Sequence, residues 1–478
     1  MTIKEMVTTL AIDVGSSSVK AAVLTGTRPV SPLVRHAFPT RYDGVRAEVD
    51  PAAILRAVRL AAHDAVTSSV GKPPDVVALS SMSPSWLALD KTGKPLTPVI
   101  THQDRRSLED ARRIEAAFGK DEHLAITGNR PVPGGISSTT AAHFARHHKP
   151  LLRKAALVGH LQTFLLNHLT GARAADPSNA SFMGLYKTTE LPQTDPHSGW
   201  HDGLVRLAGL RVSQLPNVLP GDTVAGLLTP AGSRLLSLPR GTPVLTGVVD
   251  TSAAVILAGA LPGMLVNASG STDVLAVVTE VPEPDERYLT RALGVSQKWL
   301  SVATLPAAGS AIVWARQTLF PDLSDKDFFK LVAKLSPQRD GKARSRKTAS
   351  VGGAKGAKAA VGVGWGGGVT FFNGLAGSRT SVDQPTARFD GLRLSTTRDD
   401  MLAALIHSLA TASADRLALL RHASSHRIRR EVLRTGGTSQ LLSKILYRFW
   451  PIPRKHLFTD IPEATVLGLG QLAQGHPV

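Results

Sequence analysis

The chain has 478 residues, of which 42% are hydrophobic and 19% charged, and it contains no cysteine. The missing thiols exclude disulfides, thiolate catalysis and cysteine-ligated zinc or iron–sulfur centres, and the length exceeds what one core supports, so two domains are expected. Lys and Arg number 55 against 37 Asp and Glu, a formal net charge of +18; the excess is spread along the chain with no aromatic–basic motif, so it suits anionic small molecules and no nucleic-acid partner is expected.

The N-terminal MTIKEMVTTL lacks the apolar run of a secretion signal, and a cytoplasmic location follows as the default. Residues 10–12 predict an apolar strand that ends in Asp13. The chain then turns through Gly15, Ser16, Ser17 and Ser18 and resumes as a strand over 19–24 that carries Lys20. Small residues keep side chains out of such a turn, so its N–H groups and hydroxyls can approach a phosphate, and Asp13 stands where it could hold a metal ion. An ordinary polar hairpin has the same pattern. The Walker arrangement, with four residues between its glycines and a following helix, is absent.

Residues 51–68 predict a helix capped by Asp50 with proline in its first turn, and 76–80 a strand. Further helices are expected over 107–118 and 151–169, the latter closed by Gly171. A buried strand over 244–249 runs into Asp250 and a small-residue helix. The apolar stretch 245–266 is broken by Asp250 and by Gly and Pro, which argues against a membrane span. Strands over 263–268 and 274–278 flank a second small turn, Gly270-Ser271-Thr272. The segment 339–358 is basic, rich in Gly, Ala and Ser, and reads as a solvated loop. A long helix over 398–423, a strand over 431–434 leading to Gly436-Gly437, and a terminal helix over 462–473 complete the pattern. Two α/β lobes divided near residue 258, each with a small-residue turn, suit a ligand held in a cleft between them.

Ten segments in order resemble the FGGY carbohydrate kinases of the actin/hexokinase-like superfamily. They are AIDVGSSSVKAAVL (11–24), AEVDPAAI (47–54), ALSSMSPSWLALD (78–90), HQDRR (102–106), LTGARAADPSNAS (169–181), GTPVLTGVVDTSAAVILAG (241–259), SGSTDVL (269–275), AGSRT (376–380), RTGGTSQ (434–440) and PEATVLGLGQLA (462–473). The resemblance implies two ribonuclease H-like domains, 8–258 and 259–478, with the active-site cleft between them. It further implies ATP and Mg²⁺ as cofactors and transfer of phosphate to a sugar, most similar to the xylulose kinases. D-ribulose, sedoheptulose, gluconate or another polyol are alternative acceptors, and a non-catalytic sugar or nucleotide sensor is the alternative to an enzyme. A homodimer is compatible with the sequence, which gives no oligomeric state.

Residue by residue, the resemblance makes Asp13 the Mg²⁺ ligand. Gly15, Ser16, Ser17, Ser18 and Lys20 would form one phosphate loop, and Gly270, Ser271 and Thr272 the other. Gly436 and Gly437 would lie at the adenosine, Asp250 would be the catalytic base, and Asp104 and Arg106 would contact the sugar. By itself Asp250 could equally be a helix cap, and HQDRR a charged helix start. The chain departs from the family at several places. His102 replaces a tryptophan, and Met82 is followed by Ser83 where a Met-His pair is common. Trp86 could supply the missing apolar wall of the sugar site or belong to the core. Gly377-Ser378-Arg379 lacks the central glutamate of a Gly-Glu-Arg motif, and the region after Gly437 is divergent.

Overall fold

The computed structural model describes residues 6–191, 195, 198–335, 368–423, 428–429, 431–436, 446, 450 and 457–475. The basic segment 339–358 and Gly437 lie outside the described residues.

The first hairpin forms as expected. Strands Thr8–Val14 and Ser18–Thr25 pair antiparallel with Asp13 opposite Lys20, and the Gly15 N–H closes the turn on the Ser18 carbonyl at 3.0 Å. Both strands are buried almost throughout because Leu10, Ile12 and Val14 face one layer while Ala11 faces another. Helix Pro51–Thr67 is capped by the Asp50 carboxylate, which accepts from the Ala52 N–H, and packs Ile54, Val58 and Ala61 against the hairpin. Strand Val76–Ser81 then adds parallel to the first strand. Strands Pro243–Leu245 and Val248–Val249 both pair with Val76–Ser81, and the latter leads directly into helix Asp250–Leu257.

The second half repeats the scheme. Strands Leu265–Ser269 and Asp273–Thr279 form an antiparallel hairpin, with strand Glu431–Thr435 parallel to the first of them. Helix Arg398–Ala423 lies where the sequence places it. One apolar cluster joins the two halves, since Ala11, Ala22 and Ala78 share it with Ala253, Val266, Ala276 and Leu469. Helix Ala464–Ala473 lies inside this cluster and packs against the first strand.

The single helix expected over 151–169 is instead three elements. Helix Lys149–Lys154 ends at Ala155, strand Leu157–His160 pairs antiparallel with Ser85–Leu89, and helix Leu161–Thr170 follows, capped by left-handed Gly171. A short apolar run fits strand or helix equally, and here the free edge of Ser85–Leu89 decides for strand. Among the described residues no helix is long and apolar enough to cross a membrane.

Helices Asp250–Leu257 and Ala464–Ala473 cross in backbone contact, and a Cβ on Gly468 would strike the Ala253 carbonyl. Alanine at 468 should gain up to about 1 kcal/mol of helix propensity, but forcing the helices apart costs roughly 1–3 kcal/mol. Gly468→Ala should therefore lower the urea midpoint, and Gly468→Val should lower it further. Unchanged midpoints would show that the crossing is not close-packed.

Candidate active site

Three parallel strands end side by side, and the carboxylates stand at these ends. Asp13 is in register with Ser80, Ser80 with Val248 and Ser81 with Val249, so Asp250 emerges next to the strand ends that carry Asp13. Ligands of α/β sheets bind at the carboxyl ends of parallel strands. The Ser80 hydroxyl donates to Asp13 Oδ1 at 2.8 Å. Burial pushes the Asp13 carboxyl up to about 6; Lys20 opposes the shift, while Asp250 and Glu463 add to it. Burial likewise raises Asp250, against the Thr251 N–H at 2.6 Å, the Thr251 hydroxyl at 3.1 Å, and the charges of Arg379 and Lys20. Asp250 nonetheless retains accessible surface. A carboxylate desolvated by its surroundings and still partly accessible can be reached by a substrate, and its raised pKa favours proton uptake.

Lys20 is not free in the first turn. Its ammonium lies 2.5 Å from Glu463 at the start of the closing helix. Ser17 is exposed, Gly15 and Ser16 are half-buried, and Ser18 is buried within its strand. In the second turn Gly270, Ser271 and Thr272 join Ser269 to Asp273. The Ser271 carbonyl accepts from Ala308 N–H at 2.9 Å and from the Ser310 hydroxyl at 3.0 Å, which ties the turn to the start of helix Gly309–Leu319. Beneath it the Asp273 carboxylate accepts from Asn267, Ser269 and Ser413. Gly436 abuts this turn with φ +112°, and a Cβ there would meet the Ser269 carbonyl. Only glycine fits, so strand Glu431–Thr435 delivers bare backbone to the second turn.

The residues expected at the sugar are placed differently from one another. Asp104 and Arg106 close on each other: Arg106 Nε and Nη2 donate to the carboxylate at 2.7–3.0 Å, Asp104 Oδ2 also accepts the Ala47 N–H at 2.8 Å, and Arg106 reaches Glu48 at 2.5 Å. Both carboxylate oxygens are therefore engaged within the protein. Met82 and Trp86, which the resemblance puts at the sugar, are both buried among apolar side chains. Trp86 has 0% exposure and stacks at 4.7 Å on Phe144, since it lies in strand Ser85–Leu89 between two paired neighbours.

Two residues not singled out as site residues in the sequence act on the pair Asp13 and Asp250, Glu463 through Lys20 and Arg379 on Asp250, and a third, Arg105, stands next to Arg379. Glu463 pairs with Lys20. Arg105, between Asp104 and Arg106, donates to the carbonyls of His102 and Asp104 and spans to the Ala376 carbonyl at 2.9 Å. Arg379 acts on Asp250 electrostatically. The motif AGSRT marked the neighbourhood of Arg379, but nothing in the sequence brings it to Asp250. His102 is buried, and its burial with the Arg379 and Arg105 charges holds its imidazole well below its ordinary pKa, hence neutral.

The donor set fits a hard divalent cation. Asp13 offers carboxylate oxygens whose pKa is raised by burial first and by the charges of Asp250 and Glu463 in addition, and magnesium is commonly held by one or two carboxylates plus water and phosphate.

Residues 8–257 match the profile described as the FGGY family of carbohydrate kinases, N-terminal domain. A glycerol kinase of Thermococcus kodakarensis is 26% identical over 320 residues, covering 64% of this chain and 61% of its own length. A gluconokinase of Bacillus subtilis is 23% identical over 310 residues, covering 64% and 59%. The match thus spans about three fifths of those relatives' lengths. Among solved structures, a xylulose kinase from Lactobacillus acidophilus superposes with TM-score 0.78 at 19% identity, covering 98% of this chain and 88% of that one. A gluconate kinase from the same organism gives TM-score 0.78 at 18% identity, with coverage of 98% and 88%. The fold is therefore the expected pair of actin/hexokinase-like α/β domains.

The Asp13 shift has a consequence for stability. Between pH 4 and 6 native Asp13 retains a proton that the unfolded chain, at 3.8, has released. Stability from this group is thus greatest in acid and falls as pH rises through about 6. In metal-free protein Asp13→Asn should raise stability at pH 7.5 by on the order of 2–3 kcal/mol, since one unit is 1.36 kcal/mol, and the gain should vanish near pH 4. Added Mg²⁺ should stabilise the wild type and not the variant. A gain that persists at pH 4 would show that Asp13 is not the titrating group.

Proposed function

The chain belongs to the FGGY family of carbohydrate kinases, and on that premise we propose that it transfers the terminal phosphoryl group of ATP to a hydroxyl of a linear sugar or polyol. The observation that carries this proposed reading is the juxtaposition of Asp250 with Asp13 at adjoining strand ends, with the charge of Asp250 helping to raise the Asp13 carboxyl.

In this reading Asp250 accepts the proton of the attacking hydroxyl as its oxygen bonds to the γ-phosphorus, and the bond to the ADP oxygen breaks in line. The N–H and hydroxyl groups of Gly15 to Ser18 and of Gly270 to Thr272 serve as donors to the phosphates from the two lobes. Asp13 would hold Mg²⁺, which when bound supplies positive charge to the phosphate oxygens. Glu463 fixes Lys20 beside Asp13, so the ammonium positions charge rather than swinging freely. Gly436, assigned to the nucleotide end, lets its backbone approach the second turn closely. The Asp104–Arg106–Glu48 cluster is assigned to bracing the wall next to the acceptor, with Arg105 linking it to the loop 376–384. Lobes 8–258 and 259–478 would close over the reactants and exclude water, which otherwise competes for the phosphoryl group.

For the acceptor, the segment order and the solved xylulose kinases support a ketopentose such as D-xylulose. The gluconokinase relatives and the solved gluconate kinase support a sugar acid. ADP release measured with a panel of ketoses, polyols and aldonates should single out one acceptor. Asp250→Ala should lower kcat by at least about 10²-fold, the usual worth of a general base, with unchanged circular dichroism. Turnover retained in that folded variant would remove Asp250 from the role.

A further inference from the structure

Arg379 sits on a clamped loop, and its guanidinium has no hydrogen-bond partner among the described residues. Its loop is clamped from several sides. Arg105 donates to the Ala376 carbonyl at 2.9 Å, and Gln384 accepts from the Ser378 N–H at 3.1 Å and donates to the Ser378 and Ser381 carbonyls. Gly135 lies so close that a Cβ on it would stand 2.6 Å from the Arg379 carbonyl. Arg291 in turn holds the Gly135 carbonyl at 2.6 Å. The Arg379 side chain, by contrast, has no hydrogen bond or ion pair among the described residues, and its Nε is buried without a partner.

Its surroundings make that costly. Burial, then the repulsion of Arg105, lower the Arg379 guanidinium to about 10, and Asp250 only partly offsets this. Arg105 and Arg291 donate to carbonyl oxygens and the Gln384 amide, so neither brings a carboxylate. His102 is neutral. The neighbouring Ser378 hydroxyl accepts from the Thr380 N–H and brings no charge to Arg379. A buried donor left unsatisfied is destabilising, more so when charged, and a fixed, unpaired guanidinium next to a reactive carboxylate is an anion site awaiting its ligand.

We propose that Arg379, seconded by the charge of Arg105, binds a carboxylate on the acceptor, so that the substrate is a polyhydroxy carboxylic acid of the aldonate class. The proposal rests on the kinase reading of the same cleft. The guanidinium fork takes the carboxylate in two parallel hydrogen bonds, which orients the chain of hydroxyls toward Asp250. A neutral ketose would leave the buried guanidinium unpaired, and polar groups left unpaired by the wrong substrate are the strongest source of discrimination.

Two measurements on the full chain separate this proposal from the kinase reading. Steady-state kinetics would compare D-gluconate and shorter aldonates with D-xylulose, D-ribulose, glycerol and a sugar phosphate, each with MgATP. Calorimetric titration of the same compounds without nucleotide would read binding alone. An aldonate should exceed every neutral polyol in kcat/KM by at least tenfold. Arg379→Gln should reduce that preference at least tenfold through KM, and Arg379→Lys should restore part of it. If Arg379→Gln misfolds, Arg379→Lys and the wild-type binding series still decide. Aldonate binding that depends on Arg379 without turnover would uphold the carboxylate site and overturn the kinase reading. A neutral polyol or a sugar phosphate preferred over every aldonate would overturn the carboxylate site and leave the kinase reading standing. An equal fall in kcat for all acceptors in Arg379→Gln would also overturn it, by assigning the guanidinium to the transferred phosphoryl group.

Discussion

Asp13 and Asp250 are held together by strand register, and the rest of the site is arranged around that proximity. Asp13 is opposite Lys20 on one side and Ser80 on the other, and Ser80 is opposite Val248, two residues before Asp250. A slip of one residue in either pairing would turn Asp13 toward the opposite face of the sheet. The register is fixed by burial: Leu10, Ile12, Val19 and Val23 on one face, and Ala11, Ala22 and Ala78 on the other, are inaccessible or nearly so. The apolar sheet therefore offsets the repulsion of two carboxylates that have been moved out of water. Burial is the largest cause of the upward shift in both groups, so the protein alone disfavours the doubly ionised state that a cation or a phosphate-bound metal would stabilise.

The second half of the chain completes what the first half begins. Helix Ala464–Ala473 contributes Glu463 to Lys20 and packs Gly468 against Ala253, one turn after Asp250. Backbone contact between helices is stiff because no side chain can adjust. The position of Asp250 is thus set by a residue more than two hundred positions away, and the core that enforces it contains residues of both halves. Two hairpins with small turns, one from each half, thus rest on a shared apolar core.

Much of this was legible in the chain. The hairpin at Asp13 showed itself because an apolar strand, a Gly/Ser turn and a second apolar run leave few other folds, and the Asp50 cap followed from its proline neighbour. The helix expected over 151–169 was not legible as three elements, because 155–159 is a short apolar run whose state is decided by the unpaired edge of Ser85–Leu89. Trp86 was ambiguous for a similar reason, since only its neighbours in space decide between core and ligand wall. Asp104 and Arg106 were visible as a pair, but not that they pair with each other. Arg105 escaped notice because its partners, Ala376 and Gln384, are 271 and 279 residues away, and no local pattern encodes such a distance.

The charge of the chain takes on a narrower meaning in this light. A net +18 spread over the surface is screened within roughly 10 Å at ordinary salt, and many of its arginines are answered by carboxylates, as Arg106, Arg130 and Arg146 are. Arg105, Arg291 and Arg379 differ: Arg291 is fully buried and the other two are half-buried, Arg379 is repelled by Arg105 and repels Arg291, and Arg105 and Arg291 donate to carbonyls and an amide oxygen. Charges in that setting act at full strength on whatever enters the cleft. Among the described residues it is Arg379, whose charge reaches Asp250 and whose neighbours Arg105 and Arg291 bring no compensating hydrogen bond to it, that stands apart from the surplus of lysine and arginine elsewhere in the chain.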